Sequence, residues 1–154
     1  MKKRIDELDT FILKSLQVDA TRPYKQIAGM LNTSTTTVSD RIKRLRENGY
    51  INRYVAVLDR KRLKQGILAY IHLSLNNNSE EAVLKLKEEL SKIKEVCSCD
   101  RITGYYQIKL KIITVDSYAL AEVETKVASL PDVTTVHSYI VLKNIIMDMG
   151  FDFD

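Results

Sequence analysis

The sequence has no apolar run near the roughly 18 uninterrupted residues that a membrane helix needs, and its start, MKKRIDELD, lacks the apolar segment of a secretion signal. A cytoplasmic protein with no membrane partner is therefore expected. Cysteine is almost missing: Cys97 and Cys99 are the only two, with no second pair to complete a zinc site. At this spacing both would point to one face of a strand, as small structural side chains. His72 and His137 lie far from them in sequence without ligand-like spacing, so neither a metal nor a cofactor is expected. Glycine is scarce as well. The five glycines form no phosphate-cradling loop, and no histidine and nucleophile stand with an orienting acid, so an enzyme is not expected.

What is present is an ordinary globular composition, 45% apolar and 29% charged over 154 residues, enough for one domain or two small ones. The net charge of +4 conceals a division. Residues 1–64 carry 15 Lys and Arg against 7 Asp and Glu, a net of +8, while residues 65–154 carry 9 against 13, a net of −4. A basic module joined to a mildly acidic one is the footprint of a chain that docks one half on phosphates.

Three short helical patterns fill the basic half. Leu8, Ile12 and Leu16 share a face, with Ile5 and Phe11 beside it, and predict a helix over about 5–17. Thr21, Arg22 and Pro23 break the chain, and Pro23 suits the first turn of a short helix carrying Ile27, Ala28, Met30 and Leu31. Asn32 and Thr33 make a tight turn, Ser34 is a good N-cap, and Val38, Ile42 and Leu45 follow at helical spacing until Asn48 and Gly49, which predicts a third helix over about 35–47. A short helix, a tight turn and a second helix is the helix-turn-helix arrangement, whose second helix enters the DNA major groove. Ala28 would let the two helices cross closely.

The outer face of that second helix offers Thr35, Thr36, Ser39, Asp40 and Lys43, surrounded by Arg41, Arg44 and Arg46: short hydroxyls for base edges and long cations for phosphates. With Ser34 and Thr37, the candidate DNA-contacting set is Ser34, Thr35, Thr36, Thr37, Ser39, Asp40, Arg41, Lys43 and Arg44. A carboxylate at Asp40 either accepts from a cytosine amino group or orients a neighbouring arginine, and the second fits a basic face better. Residues 50–58, YINRYVAVL, read as a strand leaving the module, and DRKRLKQG follows as a charged hinge.

In the acidic half, Ala69, Ile71, Leu73 and Leu75 alternate with Tyr70, His72 and Ser74 in a strand. Val83, Leu86, Leu90 and Ile93 trace a helix capped by Ser79 with acids in its first turn. A strand near 95–103, a turn at Gly104 and a strand through Ile108, Leu110 and Ile112 form a hairpin. Asp116–Leu130 is helical again, Pro131 closes it, and VTTVHSYIVL is the last strand. The order βαββαβ gives a four-stranded antiparallel sheet with both helices on one face. The other face carries Tyr70, His72, Tyr139 and Val141, half of it apolar, and predicts pairing with a second copy. The expected fold is α+β. A helix-turn-helix domain, winged-helix-like, spans 1–50, a strand and linker 51–65, and a ferredoxin-like, ACT-like domain for ligand binding and oligomerisation 66–154.

With both halves in view, the chain resembles the Lrp/AsnC family of feast/famine regulators over essentially its whole length. The likeness lies in IDELDTFILKSLQVDATRPYKQIAGML, STTTVSDRIKRLRENGYI and YVAVLD, and then in VCSCDRITGYY and LPDVTTVHSYIVL. The resemblance implies dimers formed through the sheet domains, further assembly, commonly into octamers, and amino-acid effectors bound between dimers. It assigns effector contacts to Gly104, Tyr105, Tyr106, Gln107, Thr135 and Ser138. Two departures stand out. After the glycine the family usually has an acid, an aromatic and an acid, whereas Gly104 precedes Tyr105, Tyr106 and Gln107, so both carboxylates are missing. Near the last strand, where the family often shows threonines, this chain has Val136 and Ser138.

The expected function is a sequence-specific transcriptional regulator, cytoplasmic and nucleoid-associated, acting on double-stranded DNA with a small-molecule effector. An architectural protein that coats DNA with the same basic face is the alternative.

Overall fold

The computed structural model describes residues 5–146 and 150–153. The chain divides into two compact units, Met1–Val57 with Ile146–Asp154, and Leu58–Ile145.

The first unit is built on α1 (Glu7–Val18), α2 (Tyr24–Met30) and α3 (Thr35–Glu47). Asp6 caps α1: its carboxylate accepts from the Asp9 amide at 2.9 Å, and the Asp9 carboxylate accepts in return from the Asp6 amide at 3.3 Å, a reciprocal capping box. Pro23 precedes α2 as its N-cap residue, Asn32 takes the left-handed turn (φ 51°), and the Thr33 amide bonds back to the Ala28 carbonyl. Ser34 caps α3. At its other end Gly49 (φ 77°) allows the paired bonds Tyr50 N–H to Leu45 O and Gly49 N–H to Arg46 O that satisfy the last carbonyls. Ile12, Leu16, Ile27, Ala28, Val38, Ile42 and Leu45 form the core, and each of the larger ones contributes about 1.5–3 kcal/mol by leaving water.

Residues 50–58 differ from expectation. They run past α3 without joining any strand, and Tyr54, Val55, Val57 and Leu58 are exposed. The sequence is strand-prone, but a strand is completed by a neighbouring ladder, and none is offered among the described residues.

The second unit contains β1 (Ile67–Leu75), α4 (Glu80–Leu90), β2 (Val96–Arg101), β3 (Ile108–Thr114), α5 (Ser117–Ala128) and β4 (Val133–Ile140). The strands form one antiparallel sheet in the order β2-β3-β1-β4. Ala69, Ile71, Leu73, Ile108, Leu110 and Ile112 pack against Leu86 and Leu90 of α4 and Leu120, Val123 and Val127 of α5, so both helices cover one face. Ser79 and Asp116 cap them by accepting from Ala82 N–H and Ala119 N–H. The register aligns rows across the uncovered face: Tyr139, Tyr70 and Lys111 in one, and His137, His72, Lys109 and Asp100 in the next.

Cys97 and Cys99 are free and exposed, and the register shift between Val96 and Ser98 leaves Cys97 unpaired on β3. Partial burial pushes the Cys99 thiol up from its ordinary pKa. Residues 150–153 pack with the first unit. The Gln17 side-chain amide donates to the Phe151 carbonyl at 2.7 Å, and the Lys14 ammonium meets Asp152 at 2.8 Å and lies 5.6 Å from the Phe153 ring centre. No helix among the described residues is long and apolar enough to cross a membrane, and no group of metal-ligating side chains is found among them.

Candidate DNA interface and effector face

The interface begins with the anchoring of α3. Ser34 and Thr37 are tied into its cap: the Ser34 hydroxyl accepts from Thr37 N–H at 3.0 Å and shares a 2.8 Å bond with the Thr37 hydroxyl. Thr35, Thr36, Ser39, Asp40 and Lys43 are exposed beyond it. Together they present hydroxyls, one carboxylate and one ammonium on a single short stretch, the polar mixture that reads base edges and grips sugar-phosphate.

Arg41 and Arg44 are placed differently from the sequence expectation. Both turn toward α1. Arg41 Nη1 donates to both oxygens of Asp6, at 2.6 and 2.7 Å, and to Asp9 Oδ1 at 2.9 Å, while Arg44 Nη2 donates to the two oxygens of Asp9 at 2.8 and 2.6 Å. The Asp9 side chain is 1% exposed, so this buried carboxylate is held by two guanidinium groups in charge-assisted bonds. The Arg41 hydrogen bond is the largest influence lowering the Asp6 pKa below its ordinary value, and the same pair raises that of Arg41 against the effect of burial. The carboxylates that orient these arginines are Asp6 and Asp9, not Asp40. Sequence reasoning missed this clamp, although an acid at the N-cap and another three residues on, with arginines three apart on a later helix, were its visible traces.

Beside Ser39 and Lys43 lies a groove of about 540 Å³ lined also by Tyr24, Ile42, Arg46, Glu47, Ile51 and Asn52. The Arg46 guanidinium rests 5.9 Å from the Tyr54 ring centre, within cation–π range. Tyr24 and Asn52 were not singled out from sequence, because nothing in their local pattern marks them.

In the second unit, Gly104 takes φ 118° in the turn between β2 and β3, a conformation side chains rarely adopt. Tyr105 follows, largely exposed, with its ring 4.9 Å from that of Tyr106. Tyr106 lies 5.4 Å from the His72 ring and 5.5 Å from the His137 ring, and Tyr139 is 5.1 Å from His72. Partial burial and then the neighbouring Tyr139 phenol raise the Tyr106 pKa. Gln107 is already committed: its Oε1 accepts from Leu75 N–H at 3.0 Å and its Nε2 donates to the Tyr105 carbonyl at 3.2 Å.

The six expected effector residues do not form one cluster. Thr135 pairs with Ser74 on the uncovered face, whereas Ser138 pairs with Ile71, whose side chain lies in the helix-covered core. The Ser138 hydroxyl oxygen is buried without a hydrogen-bond partner. Gly104, Tyr105, Tyr106 and Gln107 gather at the hairpin, with Tyr106 carrying the contact to the uncovered face.

Two family models match this chain, the AsnC-type helix-turn-helix domain over residues 5–46 and the Lrp/AsnC ligand binding domain over residues 68–151. The HTH-type transcriptional regulator FL11 of Pyrococcus horikoshii is 32% identical over 143 residues, covering 93% of each chain. The leucine-responsive regulatory protein of Escherichia coli is 25% identical over 145 residues, covering 93% of this chain and 88% of its own. Among solved structures, the AsnC family transcriptional regulator from Agrobacterium tumefaciens superposes with a TM-score of 0.86 at 25% identity, covering 96% of this chain and 97% of its own. A transcriptional regulator from Neisseria meningitidis, solved as an L-Met complex, reaches 0.86 at 26% identity over 94% of each chain. A helix-turn-helix braced by its first helix, a βαββαβ unit that follows it in sequence and these likenesses along the whole chain agree, and the protein belongs to the Lrp/AsnC family of DNA-binding transcriptional regulators.

Proposed function

We propose that the protein is a cytoplasmic, nucleoid-associated regulator that inserts α3 into the major groove and answers to an amino acid. Thr35, Thr36, Ser39, Asp40 and Lys43 meet the DNA, Ser34 and Thr37 hold the start of the helix, and Arg41 and Arg44 fix its orientation through Asp6 and Asp9. The observation that carries this reading is the clamp on Asp9, which leaves the outer residues of α3 uncommitted while immobilising the helix that bears them. Recognition gains affinity from such preorganisation because less motion is lost on binding.

The effector is proposed to meet the hairpin formed by Gly104, Tyr105, Tyr106 and Gln107, with Thr135 as a further contact on the uncovered face. Ser138 acts from beneath, as a spacer. The L-Met complex of the Neisseria relative supports an amino acid as the ligand class. With the Gln107 amide already spent on backbone, the aromatic rings of Tyr105 and Tyr106 provide the recognition. The uncovered face, with its tyrosines and histidines, pairs with a second copy, and dimers assemble further into octamers.

Fluorescence anisotropy on upstream DNA against random duplex tests the DNA reading, with at least about a thousandfold preference expected of a specific regulator. Equal affinity would establish coating instead. Sedimentation with each amino acid in turn tests the effector and the assembly together. A shift in assembly with one amino acid is expected, and a monomer unaffected by all of them would overturn both.

A further inference from the structure

The groove between the start of α2 and the end of α3 flanks the outward residues of that helix, and its lining is chemically specific. Lys43 and Arg46 supply two cations, Tyr24 and Asn52 supply neutral hydrogen-bonding groups, and Glu47 supplies one carboxylate. The net of one positive charge suits a single monoanionic phosphodiester better than a phosphate monoester carrying two charges. Polar groups make up much of the lining, which disfavours an apolar ligand. The Arg46 guanidinium is also steadied by the Tyr54 ring, so less of its freedom is lost on binding an anion.

We infer that this groove seats one backbone phosphate of the bound duplex, with Tyr24 and Asn52 as positioning residues beside Lys43 and Arg46. The inference rests on the DNA-binding reading above and adds where the register of α3 is set. Ser39 and Lys43 belong both to the groove and to the outward side of α3, so a phosphate held there lies next to the base edges that α3 would read. Contacts to phosphate carry no sequence information of their own but fix where the reading helix sits.

The test uses the full-length protein and mixed-sequence duplexes in anisotropy titrations over a range of salt. Arg46→Ala is expected to weaken binding about tenfold on every duplex and to lower the salt slope by about 0.9 per protomer. Tyr24→Phe and Asn52→Ala are expected to weaken binding several-fold with the slope unchanged, because neither removes a charge. Melting curves should match the wild type for all three, since these side chains lie outside the core. In a second arm, neutral methylphosphonates are scanned along one strand of an upstream duplex that the protein binds in preference to random DNA, where its register is fixed: wild-type affinity should fall at a defined position, and Asn52→Ala should be insensitive there. Unchanged affinity of both Tyr24→Phe and Asn52→Ala, or a scan in which every position behaves alike, would overturn the proposal. Failure of the wild-type protein to bind any duplex would instead remove the DNA-binding reading itself.

Discussion

Replacing Asp9 by asparagine should unfold the helical unit far more readily than any surface substitution. The carboxylate is almost wholly buried and accepts from Arg41 and Arg44 at 2.6–2.9 Å. Removing one partner of a buried pair generally costs about 3–5 kcal/mol, because the remaining charge is left uncompensated. Here the arginine side chains retain 20% and 34% exposure and can turn partly to water, which places the expected loss near the lower end, about 3 kcal/mol. Domains of this size have a total stability of about 3–8 kcal/mol, so the loss is a large fraction of the whole. At about 4–8 °C per kcal/mol, the melting temperature of the unit should fall by about 12–24 °C. Urea unfolding of the full chain, followed by far-ultraviolet circular dichroism, measures the free-energy loss, and thermal melts read by the same signal measure the shift. The double variant Asp9→Leu with Arg44→Met separates charge from packing, since replacing ions by apolar groups of similar volume is often close to neutral. It should recover most of the loss. An Asp9→Asn protein within about 0.5 kcal/mol of the wild type, the ordinary range for surface changes, would refute the reasoning.

Lys43→Ala should lower the salt slope of DNA binding by about 0.9 per protomer with melting unchanged, whereas Arg44→Ala should lower the melting temperature first; equal slopes and equal melting for the two would contradict their separation. The Asp6 pKa is depressed in the folded state, chiefly by Arg41, so its contribution is full above the ordinary carboxylate range and is lost as pH falls through the folded value. Thermal melts should therefore be flat near neutrality and fall below about pH 4, less steeply in Asp6→Asn. Gln107→Glu keeps an acceptor for Leu75 N–H but cannot donate to the Tyr105 carbonyl, and chemical denaturation should register a loss of about 0.5–1.5 kcal/mol. Gly150→Ala drives a Cβ into the Gln17 side chain at a backbone φ of 87°, which side chains rarely adopt, so limited proteolysis should trim the end of the chain faster than in the wild type.

Much of this molecule is legible because its elements are punctuated. Ser34 and Gly49 bound α3 at the expected residues, and the alternation in residues 67–75 and 108–114 matches the buried faces of β1 and β3. The fates of Arg41 and Arg44 were not legible, since the acids that capture them lie 32–35 residues earlier and no local pattern joins the two. The split of Thr135 from Ser138 could have been read: residues three apart on a strand face opposite ways. The stretch 50–58 shows the limit of propensity, which describes a preference for extended backbone and not the presence of a neighbour to bond with. Nothing in GFDF announced that it would settle on α1.

That settlement has a consequence for how copies of the chain relate to one another. The contacts of Gln17 and Lys14 with residues 151 and 152 are intramolecular, so they form without the loss of freedom that joining two separate molecules costs. The same contacts would be chemically identical if the segment came from a neighbouring copy, so exchange between copies changes who is tethered to whom without changing a single bond. An assembly that brings these segments close enough can become interlocked by swapping them, and its subunits would then separate at the rate at which the segment lets go of α1.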